Sequence, residues 1–321
     1  MTVQNHPFRD GIIGLAIGDM LGAPVEFGER WMRDEDPVKG PRSGGIFDLP
    51  PGAWTDDTSM TLATLHSLKT GFHPQDLMNR FLAWLRTGAY TLDGEAIGIG
   101  KQILRSLEHY EAHGDLTACG GTGERDNGNG SLMRILPVCL YARACNFPTE
   151  DAIRMVHEAS GLTHNHPRSK IACGLYHFLA TAILDESGPL NQRIQAGLDH
   201  GFAHYNSGEL CHYARVRSVD ALQQIPRDEI RSSGYVVDSL EAALWCLVTE
   251  DSFAATVLKA VNLGLDTDTI AAIAGGLAGL FYGYQQIPAD WRAALLQREE
   301  IEALCAEFDE KMRTSLERNP Q

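Results

Sequence analysis

The chain has 321 residues, of which 44% are hydrophobic and 21% charged, the balance of a globular protein with a sizeable core. Its 42 acidic residues against 27 Lys and Arg give a formal net charge of -15, unbroken by any basic cluster, which excludes the phosphate backbone of DNA or RNA as a partner. Anionic ligands must instead be held by backbone N–H groups, helix ends or bound cations.

From the N-terminus, MTVQNHPFRDG has neither a basic n-region nor a long apolar h-region, and the apolar stretch beginning at Gly11 is broken by Asp19, so no export signal is expected. Met60, Leu62, Leu65 and Leu68 predict a helix over 58–70, and Leu77, Phe81, Leu82 and Leu85 fit the next. An apolar helical run begins at Leu132. Further helices are predicted over 95–111, 149–160, 168–184, 190–200, 210–223, 237–248, 252–263, 269–283 and 288–314. The run over 270–283 is shorter than the roughly 20 residues a membrane span needs, so no membrane partner is expected and the protein reads as cytoplasmic. Seven scattered cysteines contain no C-x-x-C pair, which suggests neither a zinc site nor a disulfide framework.

Alternating strand-like runs are nearly absent, and no repeat or linker divides the chain. The expected fold is all-α, a single-domain orthogonal multi-helix bundle over residues 1–321. Two long irregular stretches interrupt it, 34–55 and 112–131, and long loops in a helical domain are usually functional or disordered.

Two short motifs carry the chemistry. PGAWTDDTSM places Asp56 and Asp57 between threonines at the mouth of an apolar helix, and taken alone the pair reads as helix capping. LGLDTDTIAAIAGG repeats the design, with Asp266 and Asp268 alternating with Thr267 and Thr269. Each helix needs only one or two side-chain acceptors, and gathered carboxylates repel one another unless protonated or neutralised. Carboxylate, hydroxyl and water oxygens are the ligands Mg²⁺ and Mn²⁺ prefer. If the fold brings the clusters together, they can hold two cations at the roughly 3.5–4 Å spacing of dinuclear sites. Ala271, Ala272, Gly275, Gly276, Ala278 and Gly279 leave one side of the 269–283 helix nearly bare for a close neighbour.

With both clusters in view, the chain resembles the ADP-ribosylglycohydrolase family from about residue 9 to 285. The motifs that carry the likeness are GIIGLAIGDMLGAPVEF, GGIFDLPPGAWTDDT, GNGSLMR, THNHP, SGYVVDSLEAALWCL and LGLDTDTIAAIAGGLAGLFYG. The resemblance implies an all-α enzyme with two Mg²⁺ or Mn²⁺ ions that cleaves ADP-ribose from a side chain or small acceptor. It implies Thr55, Asp56, Asp57, Asp266, Asp268 and Thr269 as metal ligands, with Asp268 the bridge, and Glu26 as an acid beside the metals. Asp268, Glu26 and Asp57 are then the catalytic candidates, Asp268 or Glu26 orienting the attacking water or accepting its proton. Asn127, Gly128, Asn129, Gly130 and Ser131 match the loop around ADP-ribose, His164 a histidine at the ribose or phosphate region, Gly98 and Gly100 a phosphate-facing turn, and Tyr235 a tyrosine near the ligand. One departure concerns the acceptor: arginine-specific relatives carry an aspartate where this chain has Ala96, with Asp93 and Glu95 as the nearby substitutes. The expected partners are an ADP-ribosylated protein or small molecule and an ADP-ribosyltransferase. The alternative function is an immunity or binding protein of the same fold with little turnover.

Overall fold

The computed structural model describes residues 6–318, so residues 1–5 and 319–321, the ends of the expected single domain and the start of the segment read for an export signal, lie outside the described residues. The stretch around Asp19, for which no helix was predicted, forms α1 (Pro7–Gly22), with 14 of its 16 residues buried. Its weak amphipathicity is the physical reason it escapes a periodicity test, because a helix buried all round has no polar face. Ile12, Ile13, Leu15, Ile17, Met20 and Leu21 are fully or almost fully buried, each worth roughly 1.5–3 kcal/mol relative to exposure.

The partner of α1 is α13 (Thr267–Tyr282), the small-residue helix expected over 269–283. Gly14, Gly18 and Gly22 form one row of α1 against it. A Cβ at Gly18 would lie 2.1 Å from the Ala271 carbonyl oxygen, and one at Gly22 would lie 2.4 Å from the Asp268 Cα. Only glycine lets the two backbones approach this closely, and that approach puts the start of α13 beside Asp19. Around this pair pack α3 (Asp56–Leu68), α6 (Leu136–Ala144), α8 (Pro167–Asp185), α11 (Val236–Thr249) and α12 (Phe253–Val261). The last long helix, α15 (Arg298–Arg318), returns to α1, where the Asp309 carboxylate accepts from the Phe8 and Arg9 backbone N–H groups.

The outer helices α4 (Pro74–Thr87), α5 (Lys101–His113), α7 (Thr149–Gly161) and α9 (Leu190–His204) bury one apolar stripe each. No strand occurs among the described residues, only three isolated bridges. None of the described helices is long and apolar enough to cross a membrane.

Three predicted boundaries shift for local reasons. The helix expected over 95–111 starts at Lys101 because Gly94 and Gly98 take φ of +88 and +76. The run over 210–223 divides into a 3-10 segment, Gly208–Val216, and a short α10 (Val219–Gln223). The run over 288–314 breaks at Gln297, φ +53, into α14 (Ala289–Ala294) and α15. Within the first irregular stretch and just before it lies a short surface helix, α2 (Arg30–Glu35). All seven cysteines are free thiols.

Candidate metal centre and ligand cleft

The N-terminus of α3 is capped, but not by its own aspartates. Asp19, reaching across from α1, accepts from the Thr55 N–H at 3.0 Å and Thr55 hydroxyl at 2.8 Å, and from the Thr58 N–H at 3.0 Å and hydroxyl at 2.6 Å. Thr55 makes no side-chain cap to the helix, and neither does Asp266 at the start of α13. The capping reading of Asp56 and Asp57 therefore fails for a specific reason: the acceptor role is already filled. Both carboxylates are left for something else.

The two acidic clusters, some 210 residues apart in sequence, meet at the ends of α1, α3 and α13. Carboxylate oxygens of Asp19, Asp57 and Asp268 lie within 4.8 Å of one another, as do those of Glu26, Asp266 and Asp268. Asp268 belongs to both groups. The Thr269 hydroxyl approaches Asp57 at 3.4 Å and the Thr55 hydroxyl approaches Asp268 at 3.5 Å. Asp57 Oδ1 and Glu26 Oε2 are buried with no hydrogen-bond partner, an expensive condition for a carboxylate.

Burial, and then mutual repulsion, pushes the carboxyls of Asp56, Asp57 and Asp268 well above the usual carboxylate range. Burial raises Asp19 and Asp266 too, against hydrogen bonds that pull them down. Glu26 is pushed up to about 8 by burial and then by Asp266 and Asp19. Orphaned buried oxygens, shared carboxylates and raised proton affinity are the signature of a donor set built for hard cations. The residues fit a divalent metal centre.

This has a measurable consequence. A carboxyl whose folded value lies above its unfolded one binds protons that the unfolded chain has lost, so folding stability falls as pH rises between the two values. For Glu26 that interval runs from 4.5 to about 8. The melting temperature in chelator should fall across this range, and saturating Mg²⁺ or Mn²⁺ should reverse the fall by binding the folded state. A melting curve indifferent to both pH and metal over that interval would contradict the carboxylate geometry's energetic role.

The centre floors a cleft of about 920 Å³. Glu26, Asp56, Asp266, Asp268 and Thr269 line its base, and Gly128, Asn129, Gly130 and His164 form a wall. The 112–131 loop that carries this wall is pinned on both sides. Gly121 pairs with Thr163 and Asn165, Asn129 N–H donates to the Gly234 carbonyl, and Val236 N–H donates to Asn127. The Asn129 amide donates to Asp266 Oδ2 at 2.6 Å and to Ser239 at 2.9 Å, so it orients a candidate metal ligand. Arg134, fully buried, donates to the Gly130 carbonyl and the Thr163 hydroxyl and stacks over Phe81. It is the strut of the loop.

His164 faces Gly128 and Gly130 while its Nδ1 sits 2.8 Å from the Thr163 hydroxyl. That hydroxyl also accepts from Arg134, so Nδ1 is engaged away from the cleft and Nε2 is the ring nitrogen turned toward Gly128. Burial holds the ring neutral, pushed down to about 3.

Not every expected ligand contact points inward. The Ser131 hydroxyl is buried against Ser160 and Cys173, the Asn127 side chain bridges Ser169 and Glu124, and the Tyr235 hydroxyl accepts from Arg168 at 3.1 Å. None of the three lines the cleft. They brace the loop instead. Gly98 lines the cleft and presses on the metal side: a Cβ there would stand 2.3 Å from Asp56 Oδ1. Ala96, Ile97 and Gly100 line the cleft, whereas Asp93 and Glu95 are exposed and outside its lining.

Sequence reading passed over several residues that the fold brings in. Asp19 is foremost; its signal was an acid inside an otherwise apolar, glycine-spaced helix. Lys101 and Arg125 also line the cleft, as do Phe27, next in sequence to Glu26, and Ile46, both largely exposed.

Comparison with known proteins agrees with this geometry. The sequence model of the family described as ADP-ribosylglycohydrolase matches residues 3–317. An ADP-ribosylarginine hydrolase, Tri1, of Serratia proteamaculans (strain 568) is 33% identical, over 94% of this chain and 78% of that protein. The ADP-ribosyl-[dinitrogen reductase] glycohydrolase of Rhodospirillum rubrum is 31% identical over 90% of each chain. A solved structure described as an ADP-ribosylglycohydrolase-related protein complex superposes with a TM-score of 0.77 at 34% identity, covering 94% of this chain and 96% of that one.

Proposed function

The chain belongs to the ADP-ribosylglycohydrolase family and is a hydrolase of glycosyl bonds, and on that premise we propose that it cleaves the N-glycosidic bond between ADP-ribose and an arginine side chain. The observation that carries the mechanism is Asp268 shared between two carboxylate groups at the floor of the cleft, with the unpartnered oxygens of Glu26 and Asp57 on either side. The named activities of the relatives support arginine as the acceptor.

Thr55, Asp56, Asp57, Asp266, Asp268 and Thr269, joined by Asp19, are the oxygens that would hold two divalent cations, Mg²⁺ or Mn²⁺. Such cations supply Lewis-acid polarisation of the ribose hydroxyls and lower the proton affinity of a bound water. Asp268 accepts from the Thr269 N–H at 2.8 Å, which holds its carboxylate in place, so it would serve the cations as a fixed ligand rather than as a mobile base. Glu26 lines the cleft with a free oxygen and takes the base role, accepting the water proton at Oε2 and returning it to the departing guanidine nitrogen.

Along the wall of the cleft, the diphosphate meets the backbone N–H groups of Gly128 and Gly130 and the start of α5. Lys101 and Arg125 are the basic side chains in the cleft lining and offset the -15 net charge locally. His164 presents Nε2 to the ribose or phosphate region. The partner that supplies the substrate is an ADP-ribosyltransferase, the class of enzyme that makes the bond. Seven free thiols favour a reducing compartment, the cytoplasm.

The test is an acceptor panel. With Mg²⁺ present, ADP-ribose should be released from an arginine-linked substrate about a hundredfold faster than from a serine-linked one, because the pocket must hydrogen-bond the guanidine to stabilise its departure. Faster release from serine would overturn the arginine assignment.

A further inference from the structure

Six large hydrophobic side chains stand exposed among the described residues, and four of them fall within residues 27–46: Phe27 at 60%, Trp31 at 57%, Met32 at 39% and Ile46 at 64%. Phe27 follows Glu26 of the carboxylate cluster directly, and the Met32 sulfur lies 3.9 Å from where a Cβ at Gly28 would stand. Phe27 and Ile46 line the cleft and are still mostly exposed to solvent. The turn that carries Ile46 packs its Gly45 against Ala23 and Pro24, immediately before Glu26 and Phe27.

The backbone goes to some trouble to present these residues. Phe27 takes φ +63, and its N–H donates to the carbonyl of Leu265, itself at φ +63; the Leu265 N–H donates back to Gly28. Positive φ at bulky residues is held only where the surroundings over-determine it, and such sites cluster at function. Next in the chain, α2 buries none of its residues. It is fastened by Arg30, whose guanidinium donates to the carbonyls of Leu263, Arg227 and Ile230. A surface helix held by Arg30 and by the Asp34–Arg227 ion pair, and showing Trp31 and Met32 to water, is a platform and not part of the core. Glu29, just before it, and Glu35, its last residue, are exposed and without a cation partner among the described residues, whereas Asp34 and Asp36 are paired with Arg227 and Arg42.

We propose that Phe27, Trp31, Met32 and Ile46 form a docking surface for the protein that carries the modified arginine, one offering apolar side chains flanked by basic ones. The inference rests on the arginine-hydrolase reading and deepens it: a small acceptor would end within the cleft at Phe27 and Ile46, and only a macromolecule reaches Trp31 and Met32 outside the cleft lining. Contiguous exposed apolar patches mark such interaction sites. The unpaired acids at the rim match a basic neighbourhood around the modified side chain.

Trp31→Glu and Met32→Glu, singly and together, test this without entering the cleft. They should leave the melting temperature unchanged because α2 buries no side chain. Two substrates are compared, histone ADP-ribosylated on arginine and ADP-ribosylagmatine. The double variant should raise KM for the modified histone about tenfold, with kcat and all constants for ADP-ribosylagmatine unchanged. Equal losses on both substrates, or no loss on either, would overturn the proposal. So would a change in oligomeric state on light scattering with histone turnover unaltered, which would assign the patch to a second copy of this chain. A wild-type enzyme inactive on ADP-ribosylagmatine is the separate failure of the arginine reading; the docking surface is then judged by whether the variants weaken binding of the same modified histone.

Discussion

Asp268→Ala is expected to lower ADP-ribose release by a factor of about 10³ or more, and to leave the metal-free protein no less stable than the wild type in chelator. The side chain is 2% exposed and stands in both carboxylate groups, so its loss removes a ligand from each half of the centre at once. Effects of this size are usual when groups that act as a unit are broken. The stability arm follows from electrostatics: burial, and then repulsion by Glu26, Asp57, Asp266 and Asp19, raises the proton affinity of Asp268, and deleting the carboxylate relieves all four repulsions. Glu26→Gln makes a useful contrast. It should cost kcat about 10²–10⁴, the range of a lost general base, while Mn²⁺ binding by calorimetry survives. Loss of metal in Glu26→Gln with turnover of the remainder intact would exchange the assigned roles.

Asp19→Ala is expected to behave in the opposite way on stability. Four donors of α3 converge on this one carboxylate. Each buried donor left unpaired costs about 1–3 kcal/mol, and relief of the carboxyl's own burial offsets part of the sum, so a net loss of about 3 kcal/mol or more is expected. Denaturant unfolding in chelator measures it directly, with no contribution from metal. Activity should also vanish, since α3 would lose the anchor that aims Asp56 and Asp57 at α13. An Asp19→Ala protein as stable as the wild type in chelator would show that the cap bonds carry little energy and that Asp19 is chiefly a metal ligand. The pair of variants thus separates a carboxylate held for the fold from one held against it.

These two aspartates also show how far the chain can be read without coordinates. The amphipathic helices were legible because each has a polar face: Leu77, Phe81 and Leu85, or Ile103 and Leu107, mark their stripes plainly. The helix around Asp19 was not, because nearly all of it is buried and its glycines look like loop residues until α13 is laid against them. The Asp/Thr clusters of 55–58 and 266–269 were recognisable as a pair from composition, and the fold does bring them together. That Asp19 joins them depends on a glycine row at 14, 18 and 22 matching Ala271 and Gly275 across the helix pair, a long-range fit that no local pattern encodes. The roles of Asn127, Ser131 and Tyr235 turn on which way each side chain faces, and their spacing in the loop is silent on that. The cleft's two cations were overlooked for a similar reason. Lys101 and Arg125 are far apart in sequence and line one cleft only because the 112–131 loop folds back over the start of α5.

The most direct test of the central claim is release of ADP-ribose from ADP-ribosylagmatine by a single preparation, first stripped with EDTA and dialysed, then titrated with Mg²⁺ or Mn²⁺. The carboxylate centre predicts no turnover in the stripped protein, and recovery that saturates as metal is added, in step with a rise in melting temperature. Asp268→Ala should recover neither. Full turnover in the stripped wild-type protein would contradict the account.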